Sequence, residues 1–121
     1  MPEWKPKGWH SITPRLVARD PAGLVRFLKD VFGARGEYAN DMPSEMQIGD
    51  SNVMVSGAGP REATSCFLYV YVEDADATYR RALQAGAKSI EEPADMFYGD
   101  RRAMIQDPGG NTWQIATYRR R

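Results

Sequence analysis

Cysteine and histidine are nearly missing from these 121 residues: Cys66 and His10 stand alone. One cysteine cannot build an internal disulfide framework or a cysteine-based zinc site, and one histidine removes every two-histidine metal motif. An excess of either charge is missing too. Sixteen Lys and Arg cancel sixteen Asp and Glu, so the basic surplus of a nucleic-acid binder is absent, and the Arg119–Arg121 tail is too short to supply one. No apolar run approaches the roughly 20 residues of a membrane span, and Met1–His10 lacks the apolar segment of a secretory signal. The expectation is a cytoplasmic protein with neither nucleic acid nor membrane as partner. What is present suits a single domain. Hydrophobic residues make up 42%, and a chain of this length buries roughly two-thirds of its unfolded surface.

The chain reads as one pattern used twice. Ile12–Arg19 alternates like a strand, and Asp20-Pro21 then supplies an N-cap with proline at the first helical position. Leu24, Phe27, Leu28, Val31 and Phe32 recur at helical spacing, and Gly33 supplies the stop. Three β-like pieces follow at 36–40, 45–48 and 52–55. The second half repeats the order: a strand at Phe67–Val72, a cap at Asp74, and a helix with Tyr79, Ala82 and Leu83 on one side. Gly86 ends that helix, and strands near 88–90, 102–106 and 112–116 complete the half. The capping aspartates stand 54 residues apart. Gly57–Thr64 reads as the linker, and Met1–Trp9 and Arg119–Arg121 as polar extensions. The fold class expected is α+β, two βαβββ modules in one domain over 10–118, with boundaries of about 10–57 and 65–118.

Six strings carry a resemblance: Leu16-Val17-Ala18-Arg19-Asp20, Phe32-Gly33-Ala34, Val70-Tyr71-Val72-Glu73-Asp74, Ala85-Gly86-Ala87, Tyr98-Gly99-Asp100-Arg101 and Asp107-Pro108-Gly109-Gly110-Asn111-Thr112-Trp113. In this order they resemble the vicinal oxygen chelate superfamily, which includes the glyoxalases and bleomycin-resistance proteins. The resemblance implies two half-sheets curved around a ligand cavity, helices on their convex faces, and a homodimer. It also implies where metal-dependent members hold a divalent ion; carried onto this sequence, those positions are Thr13, Met54, Phe67 and Gln114. A hydroxyl, a thioether, a phenyl ring and one amide do not make a divalent site, so no metal and no cofactor is expected.

Alternation within the strands supplies the other candidates. Leu68, Val70 and Val72 suit a face under a helix; Phe67, Tyr69 and Tyr71 occupy the opposite one. Thr13, Arg15, Val17 and Arg19 alternate with Ile12, Leu16 and Ala18, and Gln114 alternates with Trp113 and Ile115. Burial beneath the helices is expected of Val53, Val55, Leu68, Val70, Trp113 and Ile115. The ligand-binding candidates are Thr13, Arg15, Met54, Phe67, Tyr69, Tyr71, Tyr98, Arg101 and Gln114. His10 reads as an exposed or dimer-contact histidine and Cys66 as a structural thiol. Asp100 and Arg101 either hold a polar ligand or only shape their loop. The functional expectation is a metal-independent small-molecule binding or sequestering protein resembling bleomycin-resistance proteins. Its ligand is neutral or anionic and aromatic, given Arg15, Arg19 and the Phe-Tyr-Tyr wall. The alternative is a glyoxalase-like enzyme (lyase, isomerase or dioxygenase) with a non-standard active site, so whether the chain catalyses a reaction stays open; a closed scaffold or dimerisation module is the third reading.

Overall fold

A computed structural model describes residues 4–59 and 63–119. The centre of the expected linker and the last two arginines lie outside them. Nine elements follow in order: β1 (Arg15–Val17), α1 (Pro21–Phe32), β2 (Ser44–Ile48), β3 (Ser51–Ser56), β4 (Phe67–Tyr71), α2 (Ala75–Gln84), β5 (Lys88–Asp95), β6 (Arg101–Gln106) and β7 (Thr112–Thr117). The strands form two sheets, ordered β1-β3-β2 and β4-β7-β6-β5. Each opening strand runs parallel to the last strand of its own module, and the remaining pairs are antiparallel. The architecture is the expected α+β pair of modules.

Capping explains the helix boundaries. The Asp20 carboxylate accepts from Gly23 N at 3.0 Å and that of Asp74 from Ala77 N at 3.1 Å, each satisfying an otherwise orphaned first-turn donor. Gly33 closes α1 in the left-handed conformation, φ 65°, which side chains with a Cβ adopt only with strain. The apolar stripe of α1 buries Leu24, Val25, Phe27, Leu28 and Val31. Val53, Val55, Trp113 and Ile115 are buried as expected, so the phase of β3 and β7 is right.

The modules are joined across their helix-bearing sides. Phe32 at the end of α1 packs on Trp113 of β7 with ring centroids 4.7 Å apart. Arg81 of α2 donates to the Val31 carbonyl at 3.2 Å, meeting one of the acceptors left open at the end of α1. The connector between β6 and β7 is knotted around Asp107. Its Oδ1 accepts from Gly109 N and Asn111 N, and its Oδ2 from Trp113 Nε1 at 2.7 Å. Asn111 in turn accepts from Cys66 N at 2.9 Å, fixing the start of β4. Burial first, and the nearby Asp107 charge second, push the Cys66 thiol up, away from reactive thiolate.

Several expectations need correction. The piece at 36–40 is not a strand: only Arg35 bridges to Gln47, Gly36 turns the chain at φ 127°, and Ala39 N donates to Ser44 Oγ instead of a ladder. The first sheet therefore has three strands. β1 spans three residues, and Ile12, ahead of it, is exposed. Leu83 is also exposed, and β5 runs on to Asp95 through Pro93, tolerated because it is a bulged edge strand. Leu68 and Val70 are only half-buried. They line a groove of about 540 Å³ between the modules, with Val31, Phe32, Val53 and Trp113. Finally, the sheets do not close over a cavity within one chain, since Phe67 stays 67% exposed.

Two outcomes follow. Asp107→Ala strands the buried indole and amide donors and is expected to cost about 3 kcal/mol in denaturant unfolding. The Arg101 hydrogen bond, opposed by partial burial and helped by the Arg101 charge, holds the Asp76 carboxyl below its usual range. A depressed carboxyl stabilises the fold above its unfolded pKa near 4 and loses that contribution as pH falls through the folded value. Asp76→Asn is therefore expected to flatten the acid limb of a stability-against-pH curve below about pH 4.

Candidate functional site

β4 is an edge strand made only of Phe67-Leu68-Tyr69-Val70-Tyr71, with none of the charges, prolines or bulges that guard edges. Period-two alternation sends Leu68 and Val70 toward the groove and leaves Phe67, Tyr69 and Tyr71 on the face away from the helices. Register sets their neighbours on that face. Tyr69 lies beside Gln114 and, one strand on, Met104; Tyr71 lies beside Ala116 and then Arg102. Phe67, Tyr69 and Tyr71 are 67, 40 and 53% exposed. Such exposure is unusual for three aromatics on one strand.

What holds this face in shape is a carboxylate that sequence reasoning placed in a loop. Asp100 is fully buried. Its Oδ2 accepts from the Tyr69 hydroxyl at 2.8 Å and the Tyr71 hydroxyl at 2.9 Å. The Tyr69 and Tyr98 hydroxyls are 3.1 Å apart, Arg102 Nη1 donates to Tyr98 at 3.2 Å, and Arg102 Nη2 donates to Glu91 at 2.9 Å. Ring contacts continue the array. Tyr71 meets Tyr69 at 5.3 Å and Tyr118 at 6.4 Å, and Phe97 meets Tyr98 at 5.1 Å. Burial, then the Tyr98 and Asp100 hydrogen bonds, drive the Tyr69 phenol well above its ordinary value.

Of the nine candidates, Phe67, Tyr69, Tyr71, Tyr98 and Gln114 belong to this one module. Arg101 does not reach the array. It lies on the helix side, where its guanidinium grips Asp76 of α2 through two bonds of 3.0 Å and touches Asp95. The neighbouring Arg102, one step out of phase, is the arginine that faces the tyrosines. Arg15 and Met54 belong to the other sheet, where Arg15 pairs with Met54 and donates to Ser56 Oγ at 2.9 Å, and Thr13 lies two residues ahead of β1. Among the described residues no hydrogen bond joins these three to the tyrosine array. Arg102 and Glu91 are the residues that sequence reasoning missed; Asp100 was named with Arg101 as holding a polar ligand or only shaping the loop. Period-two phasing of 102–106 against buried Ala103 and Ile105 carried the signal for Arg102, whereas the pairing of Asp100 with Tyr69 and Tyr71 depends on the reach of the 96–100 loop.

The positions at which metal-dependent relatives would hold an ion do not fit one here. Met54 sits on one sheet with Thr13 just ahead of β1, Phe67 and Gln114 sit on the other, and only the Gln114 amide is a usable donor. Nor do three His, Cys, Asp or Glu side chains come together elsewhere among the described residues. His10 is exposed, with Nε2 3.3 Å from the Asp50 carbonyl.

Because the Tyr69 value is raised, its contribution to stability is complete below the ordinary phenol pKa near 10 and is lost as pH rises through the folded value. In a spectrophotometric alkaline titration, Tyr69→Phe is expected to remove a late-ionising phenol. Loss of an early-titrating phenol would contradict the geometry.

Comparison with known proteins agrees with this architecture. The chain is 26% identical over 123 residues to an uncharacterized protein of Mycobacterium bovis, covering 87% of this chain and 81% of that one. In three dimensions it is similar to TioX from Micromonospora sp. ML1, with a TM-score of 0.76, 24% identity, and 90% of this chain and 98% of that chain covered. It is similar as well to the fosfomycin resistance protein FosX from Mesorhizobium loti, with a TM-score of 0.68, 22% identity, and coverage of 89% and 91%. At these identities the structural likeness concerns the fold. The profile of the Glyoxalase/Bleomycin resistance protein/Dioxygenase superfamily matches residues 10–115, and it is to this superfamily that the chain belongs.

Proposed function

We propose that the protein binds or sequesters a small planar molecule, neutral or anionic, on the face of Phe67, Tyr69, Tyr71 and Gln114, without a metal and as a cytoplasmic homodimer. One observation carries the reading. Three aromatic side chains are exposed to solvent, and two of them are pinned by hydrogen bonds to a buried carboxylate. Exposed rings that serve no contact gain nothing from such pinning, whereas a stacking surface gains preorganisation. The proposed second copy is part of the same reading. An open aromatic face needs a lid to exclude water from a ligand, and the other sheet of a partner, carrying Arg15 and Met54 with Thr13 just ahead of β1, is the available one. The absence of net charge argues against a strongly cationic ligand.

The catalytic alternative gains less from the geometry. The acid–base groups on this face are already engaged with one another, and no metal-binding set lies at the expected positions.

The test uses indole as the probe, followed by chemical-shift changes of the tyrosine rings. Indole is expected to move Tyr69 and Tyr71 resonances saturably. Tyr71→Ala is expected to weaken that binding by about 1–3 kcal/mol, the scale of losing a buried ring contact. Shifts that ignore the Tyr71→Ala substitution would refute the reading. Light scattering is expected to give twice the 13.6 kDa chain mass.

A further inference from the structure

β4 has an open edge as well as an aromatic face. At its two ends the Cys66 carbonyl accepts from Thr112 N at 2.9 Å, and Val72 N donates to the Ala116 carbonyl at 2.8 Å. Main-chain groups along a strand point alternately to its two sides. The even-numbered residues from 66 to 72 therefore bond β7, and Tyr69 turns its N–H and C=O to the edge that no strand of this chain covers. That orientation explains why Tyr69 borders the groove of about 540 Å³ although its ring lies on the opposite face.

The walls beside this edge are apolar. Leu68 and Val70 of β4, Trp113 of β7, and Phe32 and Val53 of the other module line them. Three charged residues complete the lining: Arg81, Asp50 and Glu73. Arg81 donates through Nη2 to the Val31 carbonyl at 3.2 Å and to Thr78 Oγ1 at 3.1 Å. These bonds fix its guanidinium, yet none of the ion pairs among the described residues includes it. Asp50 and Glu73 bring the opposite sign, and they too enter none of those pairs.

An extended peptide matches all three features. Its main-chain N–H and C=O groups satisfy an open strand edge, and its alternate side chains fit apolar walls. Its two ends carry charges opposite to those of Arg81 and of the carboxylates. A fatty or aromatic acid answers to Arg81 alone and meets Asp50 and Glu73 with like charge. We propose that the groove along β4 binds a short peptide with free ends, which joins the sheet as a further strand and places its C-terminal carboxylate on Arg81. The site is separate from the aromatic face and does not rest on binding there.

The tripeptide alanyl-leucyl-alanine is the probe, titrated into the full chain and followed by the Tyr69 backbone amide resonance. It is expected to shift that amide and the Leu68 and Val70 methyl resonances saturably. Methylating both amide nitrogens of the probe is expected to weaken binding about 2–10-fold, the range of one net hydrogen bond. Converting its carboxylate to an amide, or acetylating its amine, is expected to weaken binding about 2–5-fold, the range of one exposed ion pair. Arg81→Gln is expected to bind the acid and the amide alike. Because Arg81 also braces the end of α1, the peptide series on the unaltered protein carries the test if that variant fails to fold. Equal binding of the acid and its amide, of the amine and its acetylated form, or of the methylated and parent peptides by the unaltered protein overturns the proposal. So does the absence of any shift, and a Tyr69 amide already protected from solvent exchange then assigns the edge to a second copy of the chain.

Discussion

A carboxylate with no exposure to water must be compensated by donors, and Asp100 recruits its donors from the side chains of β4 that face away from both helices. That requirement sets the rotamers of Tyr69 and Tyr71, brings Tyr98 down from its loop, and through Tyr98 orients Arg102. Burying a charged group is costly unless donors meet it, and here two phenols share Asp100 Oδ2. The wall consequently behaves as one unit. Displacing Tyr69 or Tyr71 would take a donor from the carboxylate, which is why a solvent-exposed strand can present ordered rings.

The twofold repeat shows how one scaffold gives its halves different chemistry. An offset of 54 residues maps Thr13 on Phe67, Arg15 on Tyr69 and Asp20 on Asp74. The capping aspartates do the same work in both modules, because a helix N-terminus demands the same donor satisfaction wherever it occurs. The face residues are under no such demand. In the first module Arg15 lies beside Met54 and bonds Ser56; in the second its counterpart Tyr69 lies beside Gln114 and bonds Asp100. The supporting frame has been kept and the face rewritten.

Much of the frame was legible in the sequence, because local chemistry decides it. Asp20-Pro21 and Gly33 mark α1 at both ends, and alternation placed Val53, Val55, Trp113 and Ile115 beneath the helices. Failures occurred where tertiary context overrode local pattern. The piece at 36–40 alternates well enough for a strand, yet the turn at Gly36 and the Ser44 hydroxyl divert its backbone. Leu68 and Val70 have the composition of a core face but border a groove between modules, which no single-strand pattern encodes. At the site, the aromatic residues of β4 could be read from period-two phasing. Arg101 was read as a loop residue beside Asp100, but it is the first residue of β6 and turns to Asp76 on the helix side, leaving the tyrosine face to Arg102. Asp100 depends on how a five-residue loop folds back, and that is settled only in three dimensions.

The claim at the centre of this account is that Asp100 holds the tyrosines of an exposed face in a fixed arrangement. The most direct measurement is solvent exchange of tyrosine hydroxyl protons by nuclear magnetic resonance in the ligand-free protein. The account predicts slowly exchanging hydroxyl resonances from Tyr69 and Tyr71, both absent in a variant lacking the Asp100 carboxylate. Rapid exchange of both with bulk water in the unaltered protein would contradict it.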